Sequence, residues 1–214
     1  DLIEIAQKEG NEAPYGVKDV KEFVKHSICL DYGEVSDITP DVRLTLYNAG
    51  HTLGSALAHL HIGNGLHNFV YTSDFNYETS NLLGMANTKF PRVESVMMES
   101  TYGSKSEKSL TRKESEEILI KIINEVAEDK AKVLMPILGV GRSQEIMLIL
   151  ERAMMENKIP KIPIYIQGMV WDINAIHTAY PDFLAPRVKK EIFQKDHNPF
   201  LSDIFTKVVG RKEM

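Results

Sequence analysis

The residues best suited to chemistry are one imidazole and two carboxylates, each closing an apolar, strand-like run. His51 stands in Gly50-His51-Thr52-Leu53-Gly54-Ser55, just behind such a run. Glycines let the backbone bend without a Cβ penalty, so the imidazole can be aimed at a ligand; an ordinary turn histidine fits the same pattern. Asp74 follows in Tyr71-Thr72-Ser73-Asp74-Phe75, at the carboxyl end of an apolar run, where α/β-type sheets place their ligands. A carboxylate there can bridge two cations, although a lone aspartate commonly caps a turn. Zinc takes both donor types at about 2.0–2.2 Å, but two ligands do not make a tight site. Glu99, after Met97-Met98, could orient a catalytic histidine or carry a proton, or simply cap an edge strand.

Other stretches carry weaker signals. Gly139-Val140-Gly141-Arg142-Ser143-Gln144-Glu145 is a loose phosphate-cradling turn, with Arg142 and Ser143 at a helix start. No Gly-Lys-Ser/Thr closes it, so it is not a P-loop, and a plain strand-to-helix turn reads as well. His59 and His61 share a strand face and could pair on a metal, but the favoured reading is a polar sheet face. His177 on a helix reads as packed or superficial, and His26, His67 and His197 have no supporting context. Residues 186–214 carry Arg187, Lys189, Lys190, Lys195, Lys207, Arg211 and Lys212, which could track a phosphate backbone; a solvated helix is the plainer reading.

The elements that must position these residues fall into two grammars. The first thirty residues read as one or two amphipathic helices around a turn at 11–16. From Val42 the period becomes two, predicting strands over 42–47, 56–62, 68–72 and 93–98, with a hairpin turn at Gly63-Asn64-Gly65. After residue 104, Thr111 and Glu114 form a capping-box pattern ahead of a helical run. Strands at 132–138 and 162–166 then alternate with helices after 141 and over 169–180. Such alternation predicts βαβ units on a mostly parallel sheet, with the change of architecture near residues 100–110.

Composition narrows the class. The chain has 214 residues, 26% charged and 43% hydrophobic, which excludes a disordered tail, a collagen-like fibre and a disulfide-stapled miniprotein. A net charge of −5, from 25 basic and 30 acidic side chains, argues against holding nucleic acid by bulk charge. The single cysteine, Cys29, cannot form an internal disulfide and suits a reducing, cytoplasmic setting. Neither a membrane span nor a signal peptide is expected. The chain opens on Asp1, in what reads as mid-helix, so a fragment is expected.

In this order, the stretches NAGHTLGSALAHLHIG, YTSDFNYE, MESTYG, GVGRSQE and GMVWDINAIHTAYP resemble the β-CASP nucleases of the metallo-β-lactamase superfamily. The similarity is strongest to the archaeal cleavage and polyadenylation specificity factor type. It implies an α/β fold: residues 1–104 from a metallo-β-lactamase αββα sandwich, and residues 105–214 from most of the inserted β-CASP domain. It also implies a di-zinc ribonuclease acting in RNA 3′-end processing or termination, with RNA as partner and a homodimer open to the complete protein. His51 would ligate a metal, Asp74 would bridge two zincs, and Glu99 would orient a histidine from beyond this sequence. Ser73 stands where relatives often have glycine. The family's His-x-His-x-Asp-His motif and its later histidine motifs are missing, so the isolated chain is expected to be inactive and to hold zinc incompletely. A non-catalytic, RNA-binding scaffold and a DNA-repair nuclease are the alternatives.

Overall fold

The computed structural model describes residues 2–104 and 110–208. Two helices, α1 (Leu2–Glu9) and α2 (Val17–Lys25), open it. Strands β1 (Val35–Thr39), β2 (Val42–Asn48), β3 (Ala56–Ile62), β4 (His67–Tyr71) and β5 (Ser95–Met97) then form one sheet in that order. Neighbours from β1 to β4 are antiparallel, whereas β5 runs parallel to β4. The β3–β4 hairpin turns through Gly63, Asn64 and Gly65, all at positive φ, as the Gly-Asn-Gly pattern predicts.

This pairing dictates where the site can form. Because β2, β4 and β5 point the same way, their carboxyl ends meet at one edge of the sheet. Tyr71 sits opposite Met97, so the segments running on to Asp74 and Glu99 leave the sheet side by side. His51 leaves the same edge from β2.

The second half begins with α3 (Arg112–Glu128), started by Thr111. Its hydroxyl accepts the Glu114 N–H while the Glu114 carboxylate accepts the Thr111 N–H at 2.7 Å, closing the predicted capping box. Helix α4 (Arg142–Met155) follows and is the hub of the core. It buries Leu148 with Leu82, Leu83, Leu184, Val188 and Phe200, and Leu150, Ala153 and Met154 with Ile123 and Ile159. Strand β6 (Ile164–Ile166), helices α5 (Val170–Ala179) and α6 (Pro186–Lys195), and strand β7 (Phe205–Lys207) complete the described residues. Strands β6 and β7 pair in parallel.

The fold class is mixed α/β as expected, with two departures. Segment 132–138 joins no ladder among the described residues: Met135 packs beneath α4, but Leu134 is 91% exposed. Its apolar run signals a strand, but pairing also needs a free neighbouring edge. Strands β1 and β7 went unforeseen because both are short and poorly alternating. The expected domain boundary at 104/105 abuts residues 105–109, and Arg211 and Lys212 also lie outside the described residues. No described helix is long and apolar enough to cross a membrane.

Candidate functional site

Gly50 sets the course of the His51 loop. Its φ is +66°, and a Cβ there would stand 2.7 Å from the Gly84 carbonyl oxygen and 2.8 Å from the Ala86 nitrogen. Only glycine satisfies both constraints. Ser55 closes the loop: its hydroxyl accepts the His51 and Thr52 N–H groups, and its carbonyl accepts the Ala49 N–H and the Tyr32 hydroxyl. Leu53 packs against the core cluster that α4 organises, so the His51 loop is seated in the second half of the molecule.

The Asp74 loop is laced to the same frame. The Asn76 N–H donates to Ala49 O at 2.8 Å, and the Ala86 N–H donates to Asn76 O at 2.8 Å. Ser73 adopts φ +53°, turning the chain so that Asp74 projects at the sheet edge. His51 Nε2 lies 3.9 Å from Asp74 Oδ2, with the side chains 45% and 71% exposed. Glu99 accepts the Thr101 N–H at 2.7 Å, and that bond holds its carboxyl below the usual carboxylate range, with His51 adding to the effect. The structure therefore gathers His51, Asp74 and Glu99 at one edge.

The geometry can be tested against a metal. Two donors on one tetrahedral zinc stand about 3.3 Å apart given bonds of about 2.0–2.1 Å. The His51–Asp74 spacing is slightly wider, within reach of rotamer shifts at two exposed side chains. Donor chemistry and placement fit a shared ion, with two donors supplied. No group of three or more potential ligands occurs among the described residues.

His59 and His61 do not act together. His59 is buried, donates to Arg92 O at 2.9 Å and stacks on Phe90, while His61 bonds Asn68 Oδ1 at 2.8 Å. The polar sheet-face reading describes His61, whereas His59 is a satisfied core histidine.

The 139–145 turn is brought up to the His51 loop. A Cβ on Gly141 would meet Thr52 Cγ2 at 3.5 Å and His51 O at 4.0 Å. Arg142 is exposed, with no ionic partner among the described residues. Ser143 differs from its expected role as a phosphate contact: its hydroxyl is buried and donates to Leu138 O at 2.7 Å. Gln144, to which the sequence reading assigned no role, holds the turn together. It accepts the Gly141 N–H at 2.8 Å and donates to Gly139 O and to buried Asn174. Its place three residues past the helix-capping glycine was the available signal, as in a capping box. Glu145 accepts from Asn81 and Leu82, a contact between distant positions that no local pattern reveals.

The family model of the Beta-Casp domain matches residues 143–213. Over 213 residues the chain is 52% identical to a transcription termination factor FttA of Methanothermobacter thermautotrophicus. It is 51% identical to the factor of that name from Pyrococcus horikoshii and 49% to that from Methanocaldococcus jannaschii. The chain thus matches the β-CASP family over its last third and is similar to these factors along its whole length. It is covered completely in these three matches, and it spans about a third of each relative's length (34%, 33% and 33%). The β-CASP match begins within the first turn of α4, on the helix that contacts the His51 loop from the second half.

Proposed function

We propose that this chain is part of a zinc-dependent β-CASP ribonuclease that hydrolyses RNA phosphodiesters in 3′-end processing or transcription termination. The reading rests on the meeting of His51, Asp74 and Glu99 at one sheet edge, beside the Arg142-bearing turn. The name carried by the relatives points the same way. Residues 1–104 would supply the metal-binding edge, residues 105–214 the β-CASP face, and RNA would lie between them.

In this reading His51 and Asp74 would hold the metal, with Asp74 as the carboxylate open to a second ion and further ligands from the rest of the complete protein. Bound zinc would supply an activated water and neutralise charge on the phosphoryl oxygens. Glu99, kept ionised by the Thr101 N–H, orients a histidine from outside this sequence. Arg142, exposed and without an ionic partner among the described residues, offers its guanidinium to a phosphate. Ser143 contributes the helix-start position and not its hydroxyl.

In the complete protein, Asp74→Ala is expected to abolish cleavage while RNA affinity, read by fluorescence anisotropy, stays within a few-fold. Near-normal cleavage would remove Asp74 from the metal site. Parallel RNA and DNA substrates separate a ribonuclease from a DNA-repair enzyme. A zinc-loaded protein that cleaves neither is the scaffold alternative.

A further inference from the structure

The loop that carries Asp74 is fastened at both ends, and only one fastening belongs to the sheet. Near Asp74 it is tied to Ala49 through Asn76. Farther on it is tied to α4, across the boundary between the halves, by the carboxylate of Glu145. One oxygen accepts the Asn81 N–H at 3.0 Å and Asn81 Nδ2 at 2.8 Å, and the other accepts the Leu82 N–H at 2.9 Å. The side chain is only 15% exposed, and the Arg112 guanidinium stands 4.0 Å away. Asn81 Oδ1 in turn accepts from Arg152 at 2.8 Å, and Arg152 pairs with Glu116 of α3.

Apolar packing already seats this loop on α4 through Leu82 and Leu83 against Leu148. Such contacts are non-directional and tolerate sliding, whereas three bonds to one carboxylate set a register. Glu145 also lies three residues beyond Arg142 on the same helix, so whatever fixes Glu145 to Asn81 and Leu82 fixes Arg142 relative to the Asp74 loop. We propose that Glu145 is a positioning residue that holds the Asp74 loop in register with the first turn of α4, so that a phosphate gripped at Arg142 is presented to Asp74. This inference rests on the ribonuclease reading above and assigns Glu145 no contact with RNA or metal.

The test compares Glu145→Gln and Glu145→Ala in the complete protein with Ile123→Ala, a core truncation away from the site. A misplacement of about 1 Å costs about 100-fold in rate, so Glu145→Ala is expected to lower kcat about 10–100-fold while KM for RNA stays within about threefold. Glu145→Gln, which keeps one acceptor oxygen, is expected to recover part of that loss. Amide hydrogen exchange at Asn81 and Leu82 should quicken in both variants, and zinc content should not change. Ile123→Ala should lower stability while leaving kcat near normal. An unchanged kcat in Glu145→Ala overturns the inference, as does a kcat loss matched by Ile123→Ala at equal stability. A complete, unaltered protein that cleaves no RNA overturns the ribonuclease reading itself, which is a separate result.

Discussion

Ser73 occupies a left-handed conformation, φ +53°, one residue before the candidate bridging carboxylate. A side chain there costs about 1–2 kcal/mol, so Ser73→Gly is expected to stabilise the fold by about 0.5–1 kcal/mol after glycine's greater unfolded entropy is counted. Urea unfolding checks this, and a loss of stability would mean that the Ser73 side chain makes a compensating contact. Gly50→Ala acts in the opposite sense, because its Cβ would collide with backbone at 2.7 Å. A loss of about 2–4 kcal/mol is expected from the strain and the displaced segment at 84–86. His177 is 1% exposed, donates from Nδ1 to Ile173 O, and is held below the usual histidine pKa by burial. A depressed folded pKa means that the unfolded chain takes up the proton first. Stability is therefore fully present above about pH 6.5, the unfolded value, and is lost as pH falls towards the folded one. Denaturant midpoints at neutral and mildly acidic pH should differ less in a folded His177→Gln variant than in the unaltered chain. At this scale His51, Asp74 and Glu99 were legible as donors at strand ends. The structural engagement of Ser143 was not, because a hydroxyl near a helix start reads alike whether it faces a ligand or a carbonyl.

Among the elements, those with a full local signature were readable. Strands β2, β3 and β4 announce themselves by alternation, and α3 by its cap. Thr111→Ala removes that cap and is expected to cost about 1 kcal/mol, measurable by chemical denaturation. Segment 132–138 looked like a strand because its residues are apolar, but a ladder depends on what lies beside it. The parallel pairing of β4 with β5 also carries no local mark, yet it sets Asp74 and Glu99 on neighbouring exits. Their grouping with His51 could be expected from resemblance, while the physical reason for it lies in strand direction.

For the molecule as a whole, α4 unites what the sequence grammar divides. Phe200, fully buried, shares a cluster with Leu82 and Leu83 from the first half and Leu148 from α4. Phe200→Ala is expected to cost about 3–5 kcal/mol and to lower the unfolding midpoint of both halves together. Separate transitions from probes in each half would show that the shared core does not couple them. Metal content belongs to the same scale. With His51 and Asp74 as the site's donors among the described residues, the isolated chain should retain well under one zinc after dialysis, by elemental analysis. Two tightly held zincs would require ligands other than those identified.

The bond from Asn81 to Glu145 spans 64 positions of sequence. During synthesis at about 5–20 residues per second, Asn81 is therefore made about 3–13 s before Glu145. Throughout that interval Leu82 and Leu83, buried to 2% and 3% exposure in the finished fold, lack Leu148, Leu184, Val188 and Phe200, all of which come later in the chain. That part of the loop is thus born with an apolar surface that only later-made residues, up to Phe200, can cover.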